Sequence, residues 1–124
     1  MWIMGRLPTG HVYASVSIDH KDKTKIAIRT RSELDAQRVV DALGLQIGLQ
    51  PYEITPTPQA DYGWRVVVEP ADYQRLLNLM CHQIDYERFK PTIPKDEEWR
   101  YEAYLECWHD LLRLTAGDHD KELA

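Results

Sequence analysis

The clearest pattern in the chain is a strict alternation of apolar and polar residues over residues 11–18. Four apolar residues from Val12 to Ile18 alternate with polar or aromatic ones. A period of two predicts a strand with one buried face. After the polar turn DHKDK, residues 24–30 alternate more weakly, so the two segments predict an antiparallel hairpin. The opening MWIM predicts an additional short edge strand.

A helix signal follows the hairpin. Ser32 and Asp35 form a typical N-terminal capping pattern, and an apolar stripe from Leu34 to Leu43 follows. Gly44 is a typical stop, so the predicted helix covers about 32–43 and the following GLQIGLQ is predicted to be a loop.

The second half contains two strands and two helices. Residues 51–56 predict a short strand between prolines, and residues 64–68 predict a second strand by alternation. Pro70 suits a first helical turn, and apolar residues at three- and four-residue spacing predict a helix over about 70–83. Beyond the PTIP stop, acidic residues and a long apolar stripe predict a helix over about 96–115.

The predicted order is β-β-α-β-β-α-α. Helices with one apolar stripe and strands with one apolar face satisfy each other when the helices pack on one side of a mainly antiparallel sheet. We therefore predict a two-layer α+β sandwich, with a single domain over 1–117 and a frayed polar tail over 118–124.

Composition and charge narrow the class of protein. The 124 residues are 44% hydrophobic and 28% charged, as in an ordinary globular domain. The start MWIMGRLPTG is interrupted too early for a signal peptide, and no stretch has the apolar length of a membrane span. We expect a cytoplasmic protein that does not enter membranes. Of the net charge of -5, residues 69–124 carry -6 and residues 1–68 carry +1.

The cysteines and histidines suggest a metal site or a nucleophile, but their spacing argues against both. Cys81-His82 and Cys107-x-His109 place paired ligands on different helix faces, and no Gly-rich turn adjoins either thiol. We expect small core cysteines, and the sequence leaves a disulfide between them open. No catalytic or dinucleotide motif is present. We expect no cofactor and no catalytic residues, and an enzyme of unidentified class is the third hypothesis.

The predicted sheet carries basic residues on its polar face. With the apolar residues against the helices, Tyr13, Lys25, Arg29 and Arg65 share the other face. A basic sheet with an aromatic side chain is typical of single-stranded nucleic-acid binding, although the clustered aromatics of RNA-recognition domains are missing. The alternative is an ordinary solvated face.

Several aromatic residues fall outside the helical stripes. Trp99 lies off the main face of the last helix, and Trp2, Tyr62 and Tyr86 lie in strand ends or loops. Exposed aromatic residues among acidic ones are typical of protein–protein contacts. The alternative is that they cover the ends of a small core.

The stretch IDYERFK, residues 84–90, predicts a structural corner between two helices. Ile84 completes the preceding apolar stripe, and Tyr86 and Phe89 are three residues apart. We expect both rings to pack under the last helix, with the charged residues in water.

Several segments in a shared order carry a resemblance to a known family. They are MWI at the start, residues 28–34, DYGWRV at 61–66, IDYERFK, and Tyr104 with Trp108. They resemble a family of small uncharacterised bacterial proteins that begin M-W-I, carry I-D-Y-x-N-F-K and end in a Tyr/Trp helix. Arg88 stands at the family's Asn and Cys107 at its Val. The resemblance covers almost the whole chain, implies a shared fold and lends no catalytic residues.

These observations predict a non-catalytic module that binds another protein through its aromatic, acidic C-terminal region, or itself as a homodimer through the sheet. An accessory or inhibitor-type role is one form of this hypothesis. Nucleic-acid binding on the sheet face is the alternative.

Overall fold

A computed structural model describes residues 1–47 and 52–117 of the chain. The chain divides into two compact units, Met1–Asp85 and Tyr86–Ala124, which are described separately. An antiparallel five-stranded sheet and four helices confirm the predicted α+β class. The predicted single domain over 1–117 stays a prediction, and the tail over 118–124 lies outside the described residues.

The first unit is built on the sheet, in which the strands follow the order β1-β2-β3-β5-β4 and every neighbouring pair is antiparallel. A strand is present at each predicted position, and the edge strand at the start is longer than the four residues expected. The strand predicted over 51–56 is limited to Thr55–Pro56, and residue 51 lies outside the described residues. The strands are β1 Trp2–Leu7, β2 Gly10–Ile18, β3 Ile26–Thr30, β4 Thr55–Pro56 and β5 Trp64–Val68.

The helices are α1 Glu33–Ile47, α2 Pro70–His82, α3 Tyr86–Phe89 and α4 Glu98–Leu111, and a 3₁₀ turn Lys95–Glu97 precedes α4. The prediction that α1 ends at Gly44 was wrong, because the helix continues to Ile47. A glycine inside a helix costs only about 1 kcal/mol. The buried Ala42 and Leu43 hold this turn against the core. The rest of the predicted loop, residues 48–50, lies outside the described residues.

The core of the first unit lies between one face of the sheet and helices α1 and α2. The alternating residues of β2 supply its centre, as their period predicts. The buried residues of this hydrophobic core are Leu7, Val12, Ala14, Val16, Ile28, Ala36, Val39, Val40, Ala42, Leu43, Val66, Val68, Tyr73 and Leu76. Ile84 is exposed, so the prediction that it completes the α2 stripe was wrong.

The N-terminus of α1 is capped by Ser32 and is joined to β2 by the Asp35 side chain. The Ser32 hydroxyl accepts from the Asp35 backbone N–H at 3.2 Å and donates to Asp35 Oδ1 at 2.9 Å, as the sequence predicts. Asp35 Oδ2 also accepts from the Tyr13 backbone N–H at 2.9 Å. Strand β3 ends at Thr30, so it offers no carbonyl to Tyr13. The Asp35 carboxylate therefore takes the place of a strand carbonyl as the acceptor for Tyr13. This bond fixes α1 over the sheet.

A second connection uses the β1–β2 turn. Gly10 has φ +130°, and a Cβ there would lie 2.6 Å from Arg38 Nε. Arg38 donates from Nη1 to the His11 carbonyl at 2.8 Å, and its own carbonyl accepts from the Thr9 hydroxyl at 2.8 Å. Glycine is needed here both for its backbone conformation and for the close approach of Arg38.

Tyr52 holds the start of α2. Its hydroxyl accepts from the Glu69 backbone N–H at 3.1 Å and donates to the buried Asp72 carboxylate, which also pairs with Arg75. Burial, followed by the hydrogen bond to Asp72 and its charge, raises the pKa of Tyr52 to about 12. The Glu69 side chain makes no cap bond, and the phenol instead satisfies the backbone N–H of this N-cap residue.

We predict that Tyr52→Phe lowers the free energy of unfolding by about 1–2 kcal/mol, because Asp72 and the α2 N-terminus lose a hydrogen-bond partner. The folded-state pKa of Tyr52 lies above its unfolded value, so its contribution is complete below about pH 10 and is lost as the pH rises towards 12. Urea unfolding of both proteins from pH 8 to 11.5 measures this. An equal alkaline loss in the variant would contradict the assignment.

The second unit contains α3 and α4. The Phe89 ring stacks on the Tyr104 ring, with centroids 6.0 Å apart and planes at 13°. Phe89 is half-buried and Tyr86 is 92% exposed. The corner prediction was therefore right for Phe89 and wrong for Tyr86. Tyr86 is the first residue of the short α3, and its ring lies in solvent although it is three residues from Phe89.

An ion pair is buried at the start of α4. Arg100 is 1% exposed, and its Nε donates to Glu97 Oε1 at 2.8 Å. Its Nη1 donates to the Tyr104 hydroxyl at 3.1 Å, and its guanidinium carbon lies 4.7 Å from the centroid of the Trp99 ring. The planar guanidinium suits both the carboxylate and the aromatic faces. The buried side of α4 is therefore centred on an arginine rather than on the predicted apolar stripe.

We predict that Arg100→Ala lowers the free energy of unfolding by about 3–5 kcal/mol, because it removes the partner of a buried carboxylate. Arg100→Ala combined with Glu97→Gln should recover part of that loss, since the buried charge is then absent. Urea denaturation of the single and double variants measures both effects. A single-variant loss under ~1 kcal/mol, the range of exposed ion pairs, is incompatible with this account.

Both thiols are free, but Cys81 is exposed and Cys107 is half-buried. The prediction that both are core residues was wrong. Periodicity placed them in helices correctly, but their sides of α2 and α4 are not the buried sides.

Candidate functional site

A row of side chains crosses the sheet on the face opposite α1 and α2. Directly opposed residues of neighbouring strands share a face. The register places Trp2 opposite Ser15, Ser15 opposite Arg29, Arg29 opposite Arg65, and Arg65 opposite Thr55. We call these five residues the sheet row. Arg29 and Arg65 were predicted to share this face.

The β4–β5 loop brings Tyr62 to the sheet row. Thr57 closes this loop: its backbone N–H donates to the Gly63 carbonyl at 2.8 Å, and its hydroxyl donates to the Tyr62 carbonyl at 2.6 Å. A threonine side chain that bonds to nearby backbone stabilises such a turn. The position of Tyr62 is thus set by bonds within the loop.

Two arginines and a second tyrosine surround the Tyr62 ring. The guanidinium carbons of Arg31 and Arg29 lie 4.6 Å and 5.3 Å from its centroid. The hydroxyls of Tyr62 and Tyr13 are 3.2 Å apart. Arg29 also donates from Nη2 to the Ser15 hydroxyl at 2.7 Å. These distances are within the range of cation–π contacts and hydrogen bonds, so the predicted Tyr13 and Arg29 belong to one cluster.

This cluster lowers the pKa of Tyr62. Burial acts to raise it, but hydrogen bonds with Tyr13, Ser15 and Arg31, together with the charge of Arg31, outweigh burial. The groups around the ring therefore stabilise the negatively charged form of Tyr62. The same groups would stabilise a bound anion.

Arg65 continues the positive surface towards β4. Its Nη1 lies 3.0 Å from His20 Nδ1 and 3.8 Å from Asp19 Oδ1. Its Nε is buried and has no partner among the described residues. An open cleft of about 580 Å³ adjoins it. The cleft is lined by Asp19, His20, Lys21, Thr55, Thr57, Pro58, Gln59, Ala60, Arg65 and Val67.

Lys25 differs from the other predicted sheet residues. Its ammonium forms an ion pair with Glu69, which follows β5. The charge of Lys25 is thus balanced locally, and the lysine lies one residue before β3. The cluster around Tyr62 contains Arg31 instead.

The second candidate surface lies on α4. Tyr101, Leu105, Trp108 and Leu112 are all exposed and recur at intervals of four, three and four residues. This spacing places them on one face of the helix. We call them the α4 stripe. The sequence predicted this stripe but assigned it to the core, and that assignment was wrong.

An acidic row borders the α4 stripe. Glu98, Glu102, Glu106 and Asp110 follow each other at intervals of four and are exposed. Trp99 is 50% exposed but lies on another side of α4, against Arg100. Tyr86 precedes α4 in α3. Trp99 and Tyr86, two of the four aromatic residues proposed from the sequence, are therefore not part of the α4 stripe.

Sequence analysis missed Arg31 and assigned Tyr62 only to a general aromatic surface. Arg29-x-Arg31 continues the period of two beyond β3, which is a usable signal for Arg31. No sequence signal places Tyr62, because its position depends on how the β4–β5 loop closes.

Other classes of site receive no support from the described residues. No group of three or more His, Cys, Asp or Glu side chains within 1–47 and 52–117 is arranged to hold a metal ion. Over the same residues, no helix combines the length and apolarity needed to cross a bilayer. No family model, curated protein or solved structure matches the chain. The resemblance to the M-W-I family stays a prediction.

We predict that Tyr62 titrates below the ordinary pKa of a tyrosine, and that Arg31→Met raises its pKa by removing a hydrogen bond and a positive charge. NMR titration of tyrosine ring carbons, assigned with Tyr62→Phe, measures this directly. Lys25→Met is the matched control, because it removes a positive charge that is paired with Glu69 and that makes no contact with the Tyr62 ring. An unchanged Tyr62 titration in the variant would show that Arg31 does not act on the ring.

Proposed function

We propose that this protein is a non-catalytic module that binds another protein through the α4 stripe, with an accessory or inhibitor-type role. The observation that carries the proposal is the exposure of large apolar side chains along one side of a regular helix. Trp108 is 55% exposed. Contiguous exposed apolar surface on one helix face is typical of interaction sites.

The residue types support a protein partner. Tryptophan and tyrosine are enriched at the centres of protein interfaces, and tryptophan is common among the residues that dominate binding energy. The Lys90 ammonium lies 5.9 Å from the centroid of the Trp108 ring, so one part of this ring already contacts a cation. The stripe therefore combines apolar contact area with a preference for positive charge.

The acidic row defines the chemistry of the partner. Four carboxylates at intervals of four residues border the stripe along α4. Complementary charge speeds encounter and sets orientation. The partner we propose is an amphipathic segment whose apolar side chains cover the stripe and whose Lys and Arg side chains meet Glu102 and Glu106.

A defined peptide tests this proposal. The probe is a fluorescent Leu/Lys amphipathic helix of about 18 residues, or five turns, and a Leu/Glu peptide of the same pattern is its counterpart. Anisotropy should show binding of the Leu/Lys peptide only. Trp108→Ala should weaken binding by about 30-fold or more, as residues at interface centres do. Glu102→Gln with Glu106→Gln should reduce both the affinity and its salt dependence.

Trp99→Ala is the matched control, because Trp99 has the same side chain and similar exposure on another side of the same helix. Circular dichroism and sedimentation of each variant exclude unfolding and changed self-association. The proposal is overturned if the two peptides bind equally, or if Trp99→Ala costs more affinity than Trp108→Ala. A dimer that dissociates on Trp108→Ala, without peptide binding, would replace it with self-association.

A further inference from the structure

We propose that the sheet row and the Tyr62 cluster form a binding site for single-stranded nucleic acid. The site is separate from the α4 stripe and does not depend on the function proposed for it. Its phosphate contacts are Arg29, Arg31 and Arg65, and its base-stacking residue is Trp2.

The first argument is the direct opposition of two arginines. Arg29 and Arg65 are cross-strand partners on one face of the sheet. Like charges in this arrangement destabilise a sheet. Asp19 lies 3.8 Å from Arg65, while Arg29 is held by Ser15 and by the Tyr62 ring. A phosphate between these guanidiniums would relieve their repulsion, and guanidinium geometry matches phosphate oxygens.

The second argument is the aromatic residue at the end of the same row. Trp2 is 75% exposed and lies opposite Ser15, which bonds to Arg29. Trp2 is two strand spacings from Arg29 and three from Arg65, or roughly 14 Å across the sheet to the latter. An exposed indole beside a basic track is the arrangement on which successive bases stack.

The extent of the positive surface favours a chain of phosphates over one small anion. Arg29 and Arg31 both contact the Tyr62 ring, and Arg65, the cross-strand partner of Arg29, lines the cleft that also contains Lys21, His20 and Asp19. The cations thus follow the sheet from the Tyr62 cluster to the cleft. The lowered pKa of Tyr62 agrees with a locally positive environment.

Fluorescence anisotropy with a single-stranded oligonucleotide of about 12 nucleotides tests the site, since single-strand sites cover roughly 4–16 nucleotides. We expect binding at low salt that weakens linearly with log salt concentration. Arg29→Ala and Arg65→Ala should each reduce the steepness of that dependence by about 0.7 for each phosphate that the variant no longer neutralises. Trp2→Ala should weaken binding by roughly 5- to 150-fold, and Trp2→Phe should keep most of the affinity.

Arg113→Ala is the matched control, because it removes the same charge from an exposed position in the other unit. It should leave the affinity and the salt dependence unchanged. Inorganic phosphate at millimolar concentration should compete weakly, and the duplex of the same sequence should bind less tightly because its bases are not free to stack.

Three outcomes overturn the proposal. They are no binding of the oligonucleotide at low salt, an equal effect of Arg113→Ala and Arg65→Ala, and equal affinity for duplex and single strand. A homodimer that dissociates on Trp2→Ala, without oligonucleotide binding, also overturns it and assigns the sheet row to self-association.

Discussion

The packing of the first unit depends on the hydrogen bond from the Tyr13 backbone N–H to the Asp35 carboxylate, at a point where β2 has no β3 residue beside it. Strand β3 leaves the sheet at Thr30, and Asp35 supplies the missing acceptor from the first turn of α1. The same carboxylate accepts from the Ser32 hydroxyl that caps the helix. The Asp35 side chain therefore satisfies a backbone N–H of β2 and also bonds to the residue that caps α1. These two bonds hold the apolar stripe of α1 over β2. Arg29, inside β3, and Arg31, one residue beyond it, both contact the Tyr62 ring.

Local chemistry made most of this predictable from sequence. The period of two gave the strands their buried face, and Ser32 with Asp35 marked the start of α1. Helix α1 does not end at Gly44 as expected, because burial of Ala42 and Leu43 stabilises the helix by more than the glycine destabilises it. The residues of the α4 stripe were predicted correctly, but the prediction that they are buried was wrong. Periodicity identifies an apolar face of a helix and does not identify what covers that face. Tyr62 was unpredictable because its position is set by loop contacts between residues distant from Arg29.

The charge asymmetry of the sequence corresponds to two surfaces on two units. Four of the thirteen acidic residues in 69–124 form a row along α4, beside exposed apolar side chains. Three of the six arginines of the first unit, Arg29, Arg31 and Arg65, lie around Tyr62 and in the sheet row. A net charge of -5 therefore argues against nucleic-acid binding only if charge is averaged over the chain. Electrostatic recognition depends on local charge, and the α4 row consists of carboxylates whereas the sheet row and the Tyr62 cluster contain three arginines.

Both surfaces would bind ligands more weakly as salt increases, since each relies on complementary charge. Salt dependence by itself therefore does not tell a basic protein partner on α4 from a polyanion on the sheet. The two kinds of ligand are distinguished by the interactions that still give affinity when salt has screened the charges. On α4, as proposed, this affinity would come from burial of Leu105 and Trp108, which lie beside the charges. On the sheet it would come from stacking on Trp2, which requires unpaired bases. Under both proposals the aromatic residues, rather than the charged ones, would decide which class of ligand each surface accepts.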